Sequence, residues 1–229
     1  MTEHESTAER DAPQWQPLDA MQRRVLGVLI EKAKTTPDSY PLTINAIKTG
    51  SNQKSNRSPQ MDLAADDIEA TLDELRELGA VSEIQGDGRV SKYRHLAYNW
   101  LGVDKVELAV VAELLLRGAQ TMGELRGRAA RMEAISGLPE LKPVVARLIE
   151  KKLVVSLTPE GRGQIVTHGI YPPDEMPTAE SVAASVATTP TKQNSKSSAA
   201  AEELQTLRQR VDDLEQRLQK MEERLDAGN

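Results

Sequence analysis

The segment from Asn52 to Arg57 concentrates the side chains of this sequence that are best suited to contact nucleic acid. Its amides can hydrogen-bond to base edges, and its two cations can contact phosphate oxygens. The alternative is that the same side chains cap helix ends and brace a long loop from within. The candidate nucleic-acid-binding residues of this loop are Asn52, Gln53, Lys54, Asn56 and Arg57.

Seven further cations complete the candidate nucleic-acid-binding set. Those in predicted hairpins are Arg89, Lys92, Arg94 and Arg162. The stretch RGAQTMGELRGRAARM adds Arg126, Arg128 and Arg131, which a helical projection divides between two flanks instead of one stripe. Internal salt bridges and surface charges that favour solubility are the alternative roles for these cations.

The chemistry of an enzyme is not indicated by this sequence. It contains no cysteine and only three well-separated histidines, so neither a thiolate nor a histidine metal site is expected. We find no nucleophile–base set and no glycine-rich phosphate loop, and we expect no catalytic residue, metal or cofactor. His95 and His168 occupy equivalent places in a repeat, which favours a packing role.

Charge and hydropathy limit the partners and the location. The net charge is −6, so no strong positive field attracts nucleic acid. No apolar run reaches the roughly 20 residues that span a bilayer, and the N-terminus is polar and acidic. We therefore expect a cytoplasmic protein without membrane contact.

An internal repeat predicts the architecture. Ile68 corresponds to Leu141 and His95 to His168, so two stretches match at an offset of 73 residues. Each copy reads as an amphipathic helix, a short apolar strand, a turn with Gly-Arg and a second strand. A helix followed by a two-stranded hairpin is the second half of a winged helix, so two copies predict a tandem winged-helix protein.

The predicted fold class is α+β and mostly helical, with two tandem winged-helix domains, a flexible linker and a C-terminal coiled-coil helix. The predicted boundaries are 1–14 for a disordered tail, 15–100 and 101–171 for the two domains, 172–200 for the linker and 201–229 for the coil. Helix-capping patterns support this division. The predicted caps are Asp19 with Gln22, Thr43, Asp66 with Glu69, Asp104 with Glu107, and Thr121 with Glu124. We place Pro143 in the first turn of its helix.

Two long motifs resemble a known family. LIEKAKTTPDSYPLTINAIKTGSNQKSNRSPQM and LLLRGAQTMGELRGRAARM are similar to the signatures of the YceH-like uncharacterised bacterial family. The resemblance covers residues 18–170 and implies a tandem winged-helix fold. It implies no activity, because that family has no established function.

The third helix of the first domain is predicted to expose carboxylates where a reader of the DNA major groove needs cations or amides. Its predicted solvent face carries Asp66, Glu69, Asp73 and Glu77. We interpret this face as a solvated acidic surface or as a docking surface for a basic partner.

Heptad spacing from Leu204 to Leu225 predicts a coiled coil. In a parallel pair, Glu203 meets Arg208, and two further pairs of opposite sign follow. We therefore expect a parallel homodimer through residues 203–225, with a helix that folds back onto its own domains as the alternative. The leading functional hypothesis is a DNA-associated regulatory factor, and the alternative is a protein-interaction scaffold.

Overall fold

The structure is a computed structural model that describes residues 15–85 and 90–178. The predicted tail 1–14, candidate residue Arg89, the predicted coil 201–229 and the linker beyond residue 178 lie outside the described residues. The described part is a mixed α+β structure in which helix predominates, as expected. None of its helices is both long and apolar enough to cross a bilayer.

The first half contains three helices and a hairpin. Its elements are, in order, α1 (Ala20–Thr35), a 3-10 turn (Pro37–Ser39), α2 (Ile44–Ser51), α3 (Ala65–Glu77), β1 (Val81–Ile84) and β2 (Lys92–His95). The two strands are antiparallel, with Val81 opposite His95. Leu42, between the first two helices, forms a bridge with Tyr93 of β2.

The second half follows the same order after the short helix α4 (Ala97–Leu101). Its elements are α5 (Lys105–Arg117), β3 (Gln120–Thr121), α6 (Met122–Ala129), α7 (Leu138–Glu150), β4 (Val154–Ser156) and β5 (Ile165–His168). The antiparallel sheet has the order β3-β5-β4. Both predicted hairpins are therefore present.

The strand pairing repeats between the halves. Gln120 pairs with Val166, as Leu42 pairs with Tyr93, and these two partners are themselves separated by the repeat offset. In each half, the segment between the first two helices thus joins the second strand of the hairpin. The sequence repeat corresponds to a repeat of topology.

Most predicted caps are confirmed. The capping boxes at α1, α5 and α6 are present, with Asp19, Asp104 and Thr121 as N-caps. Thr43 caps α2 through the amide of Ala46.

Two local predictions are wrong. Helix α3 is capped at Ala64 and not at Asp66, because the Ala64 amide donates to Asp67 Oδ2 at 2.7 Å and fixes an earlier start. Pro143 lies in the second turn of α7. Proline has no amide hydrogen, so the carbonyl of Pro139 lacks its usual helical donor at position 143. The proline is tolerated because both residues lie on the exposed side of the helix, where water can bind that carbonyl.

Helices α1 and α5 form the centre of the structure. The stretch from Arg23 to Glu31 in α1 and the stretch from Glu107 to Leu116 in α5 are buried without interruption, so both helices are covered on all sides. Gly27 permits their close approach, since a Cβ there would lie 3.0 Å from the Leu116 side chain. The apolar residues of both halves form one core cluster around this helix pair.

Candidate functional site

The loop that follows α2 is held mainly by Arg57, whose side chain is completely buried. Its Nη2 lies 2.5 Å from Glu31 Oε2, and its Nη1 donates to Glu31 Oε1 at 3.2 Å. Its Nε donates to the Gly50 carbonyl at 2.9 Å. The structure therefore gives Arg57 the bracing role, and its guanidinium is not accessible to a phosphate.

Two asparagines of this loop also make internal contacts. The Asn52 side chain donates to the Leu63 carbonyl and accepts from the Leu63 amide, each at 2.9 Å. Asn56 has a positive φ of 63°, and its side-chain oxygen accepts from Arg117. These bonds fix the backbone of the loop and leave Lys54 as its exposed cation.

The three arginines after Thr121 differ in how far internal contacts hold their side chains. Arg128 donates to Gln120 Oε1 at 2.7 Å, and Arg126 donates to the Ser136 carbonyl at 2.6 Å. Arg131 is 43% exposed, although its Nη2 lies 3.4 Å from Glu113 Oε2. Of the three, Arg131 is the one best placed to meet a ligand.

Lys54 and Arg131, from separate motifs, line one open cleft of about 580 Å³. Gln53 and Asn56 line it from the loop, and Lys32 lines it from the last turn of α1. The structure thus brings four of the sequence-predicted residues together at one place, which we call the basic cleft. The acidic Glu31 also lines it, but its carboxylate is paired with buried Arg57.

The hairpin candidates lie apart from the lining of the basic cleft. Lys92 and Arg94 are exposed on β2, and Arg162 is exposed in the turn between β4 and β5. These three side chains are available to solvent, and no contact in the structure joins them to the cleft.

The third helices of the two halves present different outer faces. In α3, all four predicted carboxylates, from Asp66 to Glu77, are exposed as expected. In α7, the exposed face includes Leu138 and Ile149, which are 41% and 38% accessible. The exposed cations of these helices are Arg76 on α3 and Lys142 and Arg147 on α7, but neither helix carries an amide side chain with which to read base edges.

The two repeat-equivalent histidines take part in packing. Each accepts a hydrogen bond at Nδ1 from the amide two residues later, at 3.3 Å in both halves. The His95 ring lies 5.7 Å from that of Tyr98, and the His168 ring stacks on Tyr171 at 3.7 Å. Burial, with a smaller contribution from Lys34, lowers the pKa of His95 to about 4. Burial lowers the pKa of His168 well below its usual value, so both rings are neutral acceptors.

Sequence reasoning missed Lys32 and the buried carboxylates that bind the arginines. Glu31 pairs with Arg57, and Glu113 pairs with both Arg117 and Arg131. A signal was available, because both glutamates interrupt apolar helices at core-facing positions, where a charge needs a partner. Within residues 15–85 and 90–178, no group of three or more metal-ligating side chains comes together.

Comparisons with known proteins identify the family of this chain. Residues 18–163 match the family described as "Protein of unknown function, DUF480". The chain is 58% identical to a UPF0502 protein of Rhodopirellula baltica over 171 residues, which are 75% of this chain and 72% of that one. It is 44% identical to a UPF0502 protein of Koribacter versatilis over 158 residues, with 67% and 74% covered. The chain belongs to the DUF480 family of uncharacterised bacterial proteins, whose relatives are named UPF0502 proteins.

Proposed function

We propose that the protein is a DNA-associated regulatory factor that holds the phosphate backbone in the basic cleft. The observation that carries the proposal is the convergence of Lys54 and Arg131 with Lys32 around one open cleft. Phosphate contacts by such cations supply the sequence-independent part of DNA affinity.

The fold supports this proposal by analogy. Each half has three helices, a hairpin and a segment between the first two helices that pairs with the hairpin, as a single bridge in the first half and as β3 in the second, which is the order of a winged helix. We infer two winged-helix domains in tandem. Many winged helices bind DNA, although the fold alone does not determine function.

The mode of binding differs from insertion of α3 into the major groove. The exposed carboxylates of α3 would face the phosphates and repel them. In the basic cleft, the neutral amide of Gln53 lies beside the cations and does not repel phosphate. The cleft therefore suits contact with the phosphates along one edge of the duplex. Affinity is therefore expected to be modest and largely independent of sequence.

Titration of duplex DNA at several salt concentrations tests the proposal. Three cations that neutralise three phosphates give a slope of log K against log salt of about −2.7. The double variant Lys54→Gln, Arg131→Gln is expected to reduce the slope to about −1. A control with the same change of charge at exposed positions outside the cleft is Lys105→Gln, Lys142→Gln.

The two variants make the result decisive. Loss of affinity in the cleft variant but not in the control supports the basic cleft. No binding at low salt, or equal loss in both variants, contradicts it.

A protein-interaction scaffold is the second candidate, favoured by the outer faces of α3 and α7. The acidic face of α3 is complementary to a basic peptide segment of a partner protein. A binding measurement with a lysine-rich peptide tests this candidate, with charge reversal at Asp73 and Glu77 as the variant. Peptide binding that the reversal abolishes, in a chain that does not bind DNA, would favour the scaffold.

A further inference from the structure

A second, smaller pocket lies between α1, the segment after α2 and the end of α5. Its volume is about 150 Å³, and its lining includes three arginines, Arg23, Arg24 and Arg117, together with Tyr171. None of these residues lines the basic cleft. The pocket is therefore a second place where arginine side chains meet, separate from the basic cleft.

Two of the three arginines already have carboxylate partners. Arg23 Nη2 lies 2.6 Å from Glu175 Oε2, and the Arg23 guanidinium lies 4.6 Å from the centre of the Tyr171 ring. Arg117 Nε lies 2.9 Å from Glu113 Oε1. Their charges are compensated within the protein.

Arg24 is different, because it is 1% exposed and no carboxylate in the described part of the chain forms an ion pair with it. Its Nη1 donates to the Ser51 carbonyl at 2.9 Å, and its Nη2 donates to the Pro59 carbonyl at 2.5 Å. Its buried Nε has no hydrogen-bond partner among the residues that the structure describes. Burial, and then the nearby Arg57, lower the pKa of Arg24 to about 10, so it still carries its charge at neutral pH.

A buried charge without a counterion is costly, and proteins normally pair such charges. The planar guanidinium, with several donors in a fixed plane, matches tetrahedral oxyanions such as phosphate. The pocket also has a hydroxyl-bearing side chain, Ser58, at its lining. These features together describe a site for a small anion.

We propose that this pocket binds a small phosphate-type oxyanion, which supplies the counterion that Arg24 lacks. The proposal does not depend on DNA binding, because the pocket and the basic cleft have no lining residue in common. The ligand is either free phosphate or the phosphate group of a small organic molecule.

The test is calorimetric titration of the full chain with inorganic phosphate and, separately, with glycerol phosphate, at an ionic strength held constant with sodium chloride. We expect saturable binding of at least one of the two, with a matching rise in melting temperature. Tighter binding of glycerol phosphate identifies the organic source, and tighter binding of phosphate identifies the free ion. Absence of saturable binding of both anions overturns the proposal.

Variants separate a site from general stabilisation, since phosphate is excluded from protein surfaces and stabilises many proteins. Arg24→Gln is expected to weaken binding about tenfold or more, because it removes a charged donor. Lys105→Gln, which removes an exposed cation outside both the pocket and the basic cleft, is expected to bind like the original chain. Should Arg24→Gln fail to fold, Arg24→Lys keeps the buried charge without the planar donors and is expected to bind more weakly. Unchanged binding in a folded Arg24 variant overturns the proposal.

Discussion

Replacement of Arg57 by alanine is expected to destabilise the protein severely. Arg57 is fully buried against Glu31, so its loss leaves a buried carboxylate without a counterion. Breaking such a pair from one side costs about 3–5 kcal/mol. The carbonyl of Gly50 also loses a donor. For a folded part of this size, each kcal/mol shifts the melting temperature by roughly 2–4 °C, so the expected decrease is on the order of 6–20 °C.

Lys54→Ala is the matched comparison, because Lys54 is a cation of the same loop that is exposed to solvent. Its effect on the free energy of unfolding is expected to stay within about 0.5 kcal/mol. Urea denaturation followed by circular dichroism measures both variants under the same conditions.

A double-mutant cycle shows whether the charge pair is the cause. The double variant Glu31→Gln, Arg57→Gln leaves neither a lone Glu31 charge nor a lone Arg57 charge in the interior, so it is expected to lose less free energy than the two single variants added together. Additive losses would refute the assignment of Arg57 as an internal brace. So would an Arg57→Ala protein whose melting temperature lies within about two degrees of the original, which corresponds to a loss of only about 0.5 kcal/mol.

Three further predictions concern acid stability, glycine positions and assembly. The pKa of His95 is about 4 in the folded protein, against an ordinary value of 6.5, so as the pH falls the unfolded chain takes up a proton before the folded protein does. Stability is therefore expected to fall from pH 6.5 towards pH 4, and to fall less steeply in His95→Gln. Melting temperatures measured across this pH range test the prediction. Gly127 lies on α6 with open space around it, so Gly127→Ala is expected to raise the free energy of unfolding by about 0.5–1 kcal/mol. Gly169→Ala is expected to lower it, because the new Cβ would overlap a backbone carbonyl. Urea titrations that rank the two variants in the opposite order would contradict this packing. The heptads at 203–225 predict that the full chain sediments as a dimer and a chain ending at Thr178 as a monomer; equal monomeric masses would exclude the dimer.

Local features of the fold could be predicted from the sequence because they depend on neighbouring residues. The capping box at Asp19 and the hairpin around β4 and β5 involve short sequence separations. The predicted start of α3 was nevertheless wrong, because two overlapping acidic patterns compete there. The pattern at Asp66 matched the usual cap, yet the carboxylate of Asp67 reaches back to the amide of Ala64.

The roles of the loop side chains could not be predicted, because their partners lie far along the chain. Arg57 binds Glu31, 26 residues away, and Asn52 binds Leu63, 11 residues away. Residue type alone made Arg57 and Lys54 equivalent candidates, and only tertiary structure separates them. The place of Lys32 in the basic cleft likewise depends on how the loop folds over α1.

The uninterrupted burial of α1 and α5 has a consequence for the independence of the two halves. Two copies of one helix–hairpin unit now cover each other's first helix, and Gly27 lets the pair approach closely. A chain that lacked either half would expose a long apolar helix to water and would tend to aggregate. The two halves are therefore expected to unfold together as one cooperative unit.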